Sequence, residues 1–166
     1  MKDKQLQHHQ TKFDTPSTTK IDVLVDEMNS PANLGSIFRN AEAFGVATIW
    51  IHENNKGELA SNRFKRTARS TEKNIDIRFY KDLDPILETN EAFKVGIEIT
   101  NTSQPIRTIK SLQLNEVLIV VGNEKHGIDE MLMQKLDHIY HINMYGRNSS
   151  LNVSQSLGIA LYEIRR

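Results

Sequence analysis

Three polar stretches carry the residue types that could do chemistry in this chain. The first is Asn33-Leu34-Gly35-Ser36-Ile37-Phe38-Arg39, the second Gly122-Asn123-Glu124-Lys125-His126-Gly127, and the third Asn143-Met144-Tyr145-Gly146-Arg147-Asn148-Ser149-Ser150-Leu151-Asn152. Each follows an apolar run that reads as a strand, and each combines glycine with small polar or charged side chains. Such loops leave backbone N–H groups and short side chains around a cavity. In open α/β sheets the ends of strands carry the ligand sites, so these loops are where chemistry is expected. Taken singly, each has a plainer reading. Gly122, Asn123 and Gly127 are common turn residues, Arg39 fits a solvent-facing helix position, Glu124 a loop charge or cap, and Ser150 and Asn152 helix N-terminal caps.

Several chemistries are disfavoured by the same residues. The chain has no Cys, so thiolate metal sites, disulfides and cysteine nucleophiles are absent. No Gly-x-Gly-x-x-Gly turn follows the first strand, which argues against a dinucleotide-dependent dehydrogenase. Ser, His and Asp occur in no order that matches a hydrolase triad. His138 and His141 are spaced as ligands would be on a helix, but they fall in a strand-like run where they face opposite sides, so no metal is expected. The 166 residues carry 21 basic and 21 acidic side chains, a formal net charge of zero that speaks against broad nucleic-acid affinity while permitting a local basic patch. No apolar run approaches the ~20 residues of a membrane span, and the N-terminus is unlike a secretory signal, so a cytoplasmic protein without membrane partners is expected.

The elements that must position the loops alternate between strand and helix. Residues 1–20 form a polar arm, and residues 21–166 a single domain. Strands are expected at Ile21–Val25, Ala47–Ile51, Ile75–Tyr80, Phe93–Ile99 and, most clearly, Val117–Val121, whose continuous β-branched run suits a central parallel strand. The run Asp137–Ile142 reads as another. Helices are expected where Leu34, Ile37, Phe38, Ala41 and Phe44 recur at helical spacing, with Gly45 closing the segment, then over Asp82–Glu88, Ile128–Leu136 and a C-terminal stripe of Val153, Leu157, Ala160, Leu161 and Ile164. Residues 100–105 read as loop and 106–112 as a weak helix or connector. Between residues 54 and 73, Arg63, Lys65, Arg66, Arg69 and Lys73 make the densest positive region, either a solvated face or a phosphate-contacting one. The alternation gives an α/β fold.

Together the three stretches, extended to Asn33–Gly45, Leu118–Ile128 and Ile142–Ser154, resemble the three motifs of the SpoU/TrmH family of RNA 2′-O-ribose methyltransferases, in order and with similar spacing. The resemblance covers nearly everything after Ile21. It implies a SPOUT-type α/β knot: a mostly parallel sheet with helices on both faces and a C-terminal trefoil knot, assembled as a homodimer. It also implies S-adenosylmethionine as cofactor and an RNA substrate, tRNA preferred to rRNA for a compact dimer without an accessory domain, with no DNA partner.

Carried over residue by residue, Arg39 matches the arginine that acts on the ribose 2′-hydroxyl or its phosphate. Asn33 matches the residue that holds that arginine and the substrate. Glu124 matches the second-motif glutamate, and Ser150 and Asn152 the polar pair of the third. Gly122, Asn123, Gly127, Ile142, Met144, Ser150 and Leu151 fall in the segments that surround the methyl donor. Arg63, Lys65, Arg66, Arg69 and Arg147 are the residues expected to meet RNA. Departures exist. Asn143 stands where the family commonly has proline, and this chain has Ala68-Arg69-Ser70-Thr71 where the family often carries a small-residue Ser/Arg-Gly-Ala run. Two further readings stay open: an inactive RNA-binding factor of the same fold, and a small-molecule methyltransferase.

Overall fold

Short β-branched runs bounded by turn residues become strands here, and longer amphipathic segments between them become the helices that cover those strands. A computed structural model describes residues 18–166; the expected arm, up to residue 17, lies outside the described residues. The order is β1 (Lys20–Val25), α1 (Pro31–Ala43), β2 (Thr48–His52), a 3₁₀ segment (Glu53–Ala60), α2 (Asn62–Ala68), β3 (Asp76–Tyr80), α3 (Asp84–Thr89), β4 (Phe93–Ile97), β5 (Gln104–Pro105), a second long 3₁₀ segment (Ile106–Leu112), β6 (Glu116–Val121), α4 (Glu130–Met133), β7 (His138–His141) and α5 (Val153–Arg165).

The strands form one sheet in the order β3-β2-β1-β6-β4-β7-β5, every pairing parallel. Its centre is β1 against β6, in register from Lys20 opposite Glu116 to Val25 opposite Val121. On one face Ile21, Val23, Val25, Val117, Ile119 and Val121 pack under α1 and α5 through Leu34, Ile37, Phe38, Leu157, Ala160 and Leu161. On the other, Leu24, Leu118 and Val120 meet Ile86 and Leu87 of α3 and Leu132 of α4. Both faces of the central strands are therefore covered, as their unbroken apolar runs require.

The structure moves several boundaries for identifiable reasons. Helix α1 starts at Pro31 rather than Leu34, so Asn33 and Leu34 sit in its first turn and not in a loop. Ser30 is its N-cap, the hydroxyl accepting from the Asn33 N–H at 3.3 Å, and Pro31 occupies the position where a missing N–H costs nothing. The helix ends as expected at Gly45, at φ 63°: the Gly45 N–H reaches the Glu42 carbonyl at 3.1 Å and the Val46 N–H that of Ala41 at 2.9 Å. The guanidinium of Arg165 then donates to the Phe44 and Gly45 carbonyls, tying α5 to that end. Gln104–Pro105 pairs with β7 as a short edge strand instead of a loop, a position where proline needs no ladder partner. Helix α4 is shorter than the Ile128–Leu136 expectation: Asp129 caps its start, accepting from the Met131 and Leu132 N–H groups, and past Met133 the Lys135 and Leu136 N–H groups turn to the carbonyls of Leu132 and Met133 in tighter i→i+3 bonds.

Candidate active site

The ends of β4, β6 and β7 and the starts of α1 and α5 surround a cleft of about 730 Å³. One wall is backbone. A Cβ on Gly122 would lie 2.1 Å from the carbonyl carbon of Gly127 and 2.3 Å from the Ile128 nitrogen, so the two ends of the 122–127 turn touch and only glycine fits. Asn123 and Gly127 exchange both N–H···O=C bonds at 3.0 Å, with Gly127 at φ 71°. The Asn123 side chain accepts from the Lys125 N–H at 2.8 Å and donates to the Glu27 carbonyl at 2.6 Å, which anchors the turn to the segment after β1. Apolar side chains complete the enclosure, among them Ile97, Val121, Ile142, Met144 and Leu151.

At one end of the cleft the sequence-distant polar residues join in a chain. Glu124 Oε1 accepts from the Ser30 N–H and from Asn33 Nδ2, both at 3.0 Å, while Oε2 accepts from the Asn29 N–H at 3.1 Å. Asn33 Oδ1 in turn accepts from Asn152 Nδ2 at 2.9 Å. Asn152 Oδ1 caps α5, accepting from the Ser154 N–H at 2.9 Å and its hydroxyl at 2.6 Å. The physical logic is that of helix starts: a carboxylate at the positive end of α1 and an amide oxygen at that of α5 satisfy donors that the helices leave free. The Asn33–Asn152 bond holds those two helix starts against each other. Of the two caps anticipated for α5, Asn152 takes the role and Ser150 does not; Ser150 lines the cleft as an exposed side chain.

Asn33, Gly122, Asn123, Glu124, Gly127, Ile142, Met144, Ser150, Leu151 and Asn152 thus meet in one cleft. Arg39 does not line it. Its side chain is exposed further along α1, with no hydrogen-bond or ion-pair partner among the described residues. Arg63, Lys65 and Arg66 are exposed on α2, and Arg69 follows at the helix end in a left-handed conformation, φ 54°. This basic helix lies on α1, with Phe64 edge-on to Phe38 at 5.2 Å between ring centres. Arg147 is exposed in the loop before α5.

Among the lining residues that the sequence reading did not assign to the site are Glu98 and His141, the latter considered there only as a metal ligand. Glu98 follows β4, and its only signal is a carboxylate set between Ile97 and Ile99 at a strand end. His141 Nδ1 lies 3.0 Å from the Ser103 hydroxyl, while His138 packs against the rings of Phe93 and Tyr140, so the two histidines have separate environments. Among the described residues no cluster of His, Cys, Asp or Glu could hold a metal ion. Beside the 122–127 turn, burial pushes the Asp26 carboxyl above its ordinary range, and within β7 burial raises the Tyr140 phenol.

The chain matches the model of the SpoU rRNA Methylase family over residues 20–162. It is 30% identical over 157 residues to an uncharacterised tRNA/rRNA methyltransferase of Synechocystis, covering 93% of this chain and 40% of the relative. It is 26% identical over 153 residues to the 23S rRNA (guanosine(2553)-2′-O)-methyltransferase RlmP of Bacillus subtilis, covering 90% of this chain and 59% of that enzyme. Among solved structures, an AdoMet-bound rRNA methyltransferase from Sinorhizobium meliloti superposes with a TM-score of 0.78 at 26% identity, over 88% of this chain and 56% of that one. The chain spans about half the length of the curated relatives it matches. Because the match begins at β1, ends within α5 and takes in every loop that builds the cleft, the chain belongs to the SpoU rRNA methylase family.

Proposed function

We propose that this protein is an RNA 2′-O-methyltransferase that uses S-adenosylmethionine to methylate a ribose 2′-hydroxyl in a structured RNA. The observation that carries the reading is the Glu124–Asn33–Asn152 chain at one end of a cleft otherwise walled by close-packed backbone and apolar side chains. The cofactor fits what is present. A volume of about 730 Å³ suits a nucleoside-sized ligand, and the Gly122–Gly127 contact brings backbone N–H and C=O groups where a side chain would otherwise stand. Gly122, Asn123, Gly127, Ile142, Met144, Ser150 and Leu151 would hold it. When bound, S-adenosylmethionine supplies an electrophilic methyl group on a sulfonium.

The chain's own residues then orient the acceptor. Asn33 and Asn152, locked by their mutual bond, leave little freedom for a polar group docked between the two helix starts, and such fixed donors favour developing charge without reorganisation. Arg39, a planar guanidinium, serves as a charge that holds the ribose or its phosphate rather than as a simple base. Its exposure suits contact with a macromolecule that arrives from outside the cleft. The cations of α2 and Arg147, without ion-pair partners among the described residues, would take phosphates, which position a nucleic acid without reading its sequence. A homodimer belongs to the same proposal, supported by Ile159 and Tyr162, exposed on α5 at 38% and 57%. So does the trefoil knot, for which the support is that the 122–127 and 142–152 segments line one cleft.

The test is transfer of labelled methyl from S-adenosylmethionine to tRNA and rRNA fractions from a strain lacking the gene, followed by digestion to nucleosides. One 2′-O-methylated nucleoside is expected, from tRNA first, with Arg39→Ala lowering its formation by about a hundredfold or more. Cofactor binding without transfer to any RNA would favour the inactive binding factor. Transfer to a small molecule alone would favour the third reading.

A further inference from the structure

The cleft holds a second carboxylate that the polar chain does not use. Glu98 leaves the end of β4 between buried Ile97 and exposed Ile99 and faces the same space as Gly122 and Gly127. Its Oε1 accepts the Ile99 N–H at 2.8 Å and its Oε2 the Ile128 N–H at 3.2 Å. Gly127 lies directly on it: a Cβ there would stand 2.3 Å from Oε2. Two backbone donors from different segments therefore fix both oxygens, and no cation pairs with the group among the described residues. Each oxygen of a carboxylate accepts about two hydrogen bonds, so each retains capacity toward the cleft. A rigid pair of acceptors beside a backbone wall is complementary to two hydroxyls on adjacent carbons. Nucleotide-binding α/β folds use an acidic side chain at a strand end in this way, on ribose hydroxyls.

We infer that Glu98 binds the ribose 2′,3′-diol of the methyl donor and so selects a ribonucleoside ligand. The inference rests on the proposed reading of the cleft as the donor site. Its test is calorimetric titration of the wild-type protein and Glu98→Gln with S-adenosylhomocysteine, with 5′-methylthioadenosine, which lacks the amino-acid part, and with 5′-methylthio-2′-deoxyadenosine. Thermal unfolding of both proteins controls for folding. Hydrogen bonds to a charged acceptor predict that E98Q weakens the first two ligands alike, by roughly 10- to 100-fold. The deoxy analogue should bind the wild type more weakly and lose much less in the variant. Loss for S-adenosylhomocysteine alone would assign Glu98 to the ammonium group and overturn the diol. Equal loss for 5′-methylthioadenosine and its deoxy analogue would make Glu98 a strut of the Gly127 turn, and also overturn it. A wild-type protein that binds none of the three would instead sink the reading of the cleft itself.

Discussion

Of the two glycines in the cleft, Gly122 has the less room for a side chain. Its missing side chain lets β6 run straight into the returning Gly127–Ile128 backbone, and the clashing atoms are main chain, which cannot swing aside. Gly122→Ala is therefore expected to cost about 3 kcal/mol, read as a lower midpoint in urea unfolding with little change in slope. The glycines stood out in the sequence as turn residues, but nothing in their spacing shows that positions 122 and 127 touch. The same limit applies to the polar chain. Asn33, Glu124 and Asn152 were each legible as polar residues at element boundaries, and the family resemblance grouped them. Their bonds span 91 and 119 positions, a distance over which local pattern is silent. Glu98 was missed for a related reason: a single acid after an apolar run reads as the solvent-facing end of a strand until Gly127 is placed against it.

Helices α1 and α2 meet through Gly35, where a Cβ would sit 2.9 Å from the Phe64 carbonyl oxygen and 3.0 Å from the Ala68 nitrogen. Two effects compete in Gly35→Ala. Alanine gains about 1 kcal/mol of helix propensity, whereas forcing apart two packed backbones costs about 1–3 kcal/mol. The second should win, giving a net loss of about 1 kcal/mol and, if the exposed cations of α2 meet RNA as proposed, weaker RNA binding; denaturant unfolding and a salt titration of RNA affinity would check both parts. At this scale the sequence reading did well where periodicity was strong, in β1, β6, α1 and α5. It assigned no element to the segment that becomes the Glu53–Ala60 3₁₀ turn and α2. Short polar helices of that kind have too narrow an apolar stripe to see, and α2 buries only Phe64 and Ala68.

Across the whole molecule, the central strand carries an electrostatic load. Asp22 of β1 is 7% exposed, its Oδ1 has no hydrogen-bond partner, and burial pushes its carboxyl up, against the opposing pull of Lys20 and Thr48. A raised folded-state pKa means that the folded protein holds the proton more tightly than the unfolded chain. The associated stability is complete below about pH 4 and is lost as pH rises through the folded value. Asp22→Asn should thus be more stable than wild type at pH 7, with the difference closing toward pH 4 in parallel denaturation series. That central pairing also has a consequence in time. Lys20 and Glu116 are 96 residues apart, yet β1 needs β6 to close its second edge. At ribosomal speeds of about 5–20 residues per second, β1 waits roughly 5–20 s for that neighbour. During synthesis the nascent chain therefore offers an open, strongly apolar strand edge to other chains, and chaperone demand on the ribosome should peak before residue 121 emerges.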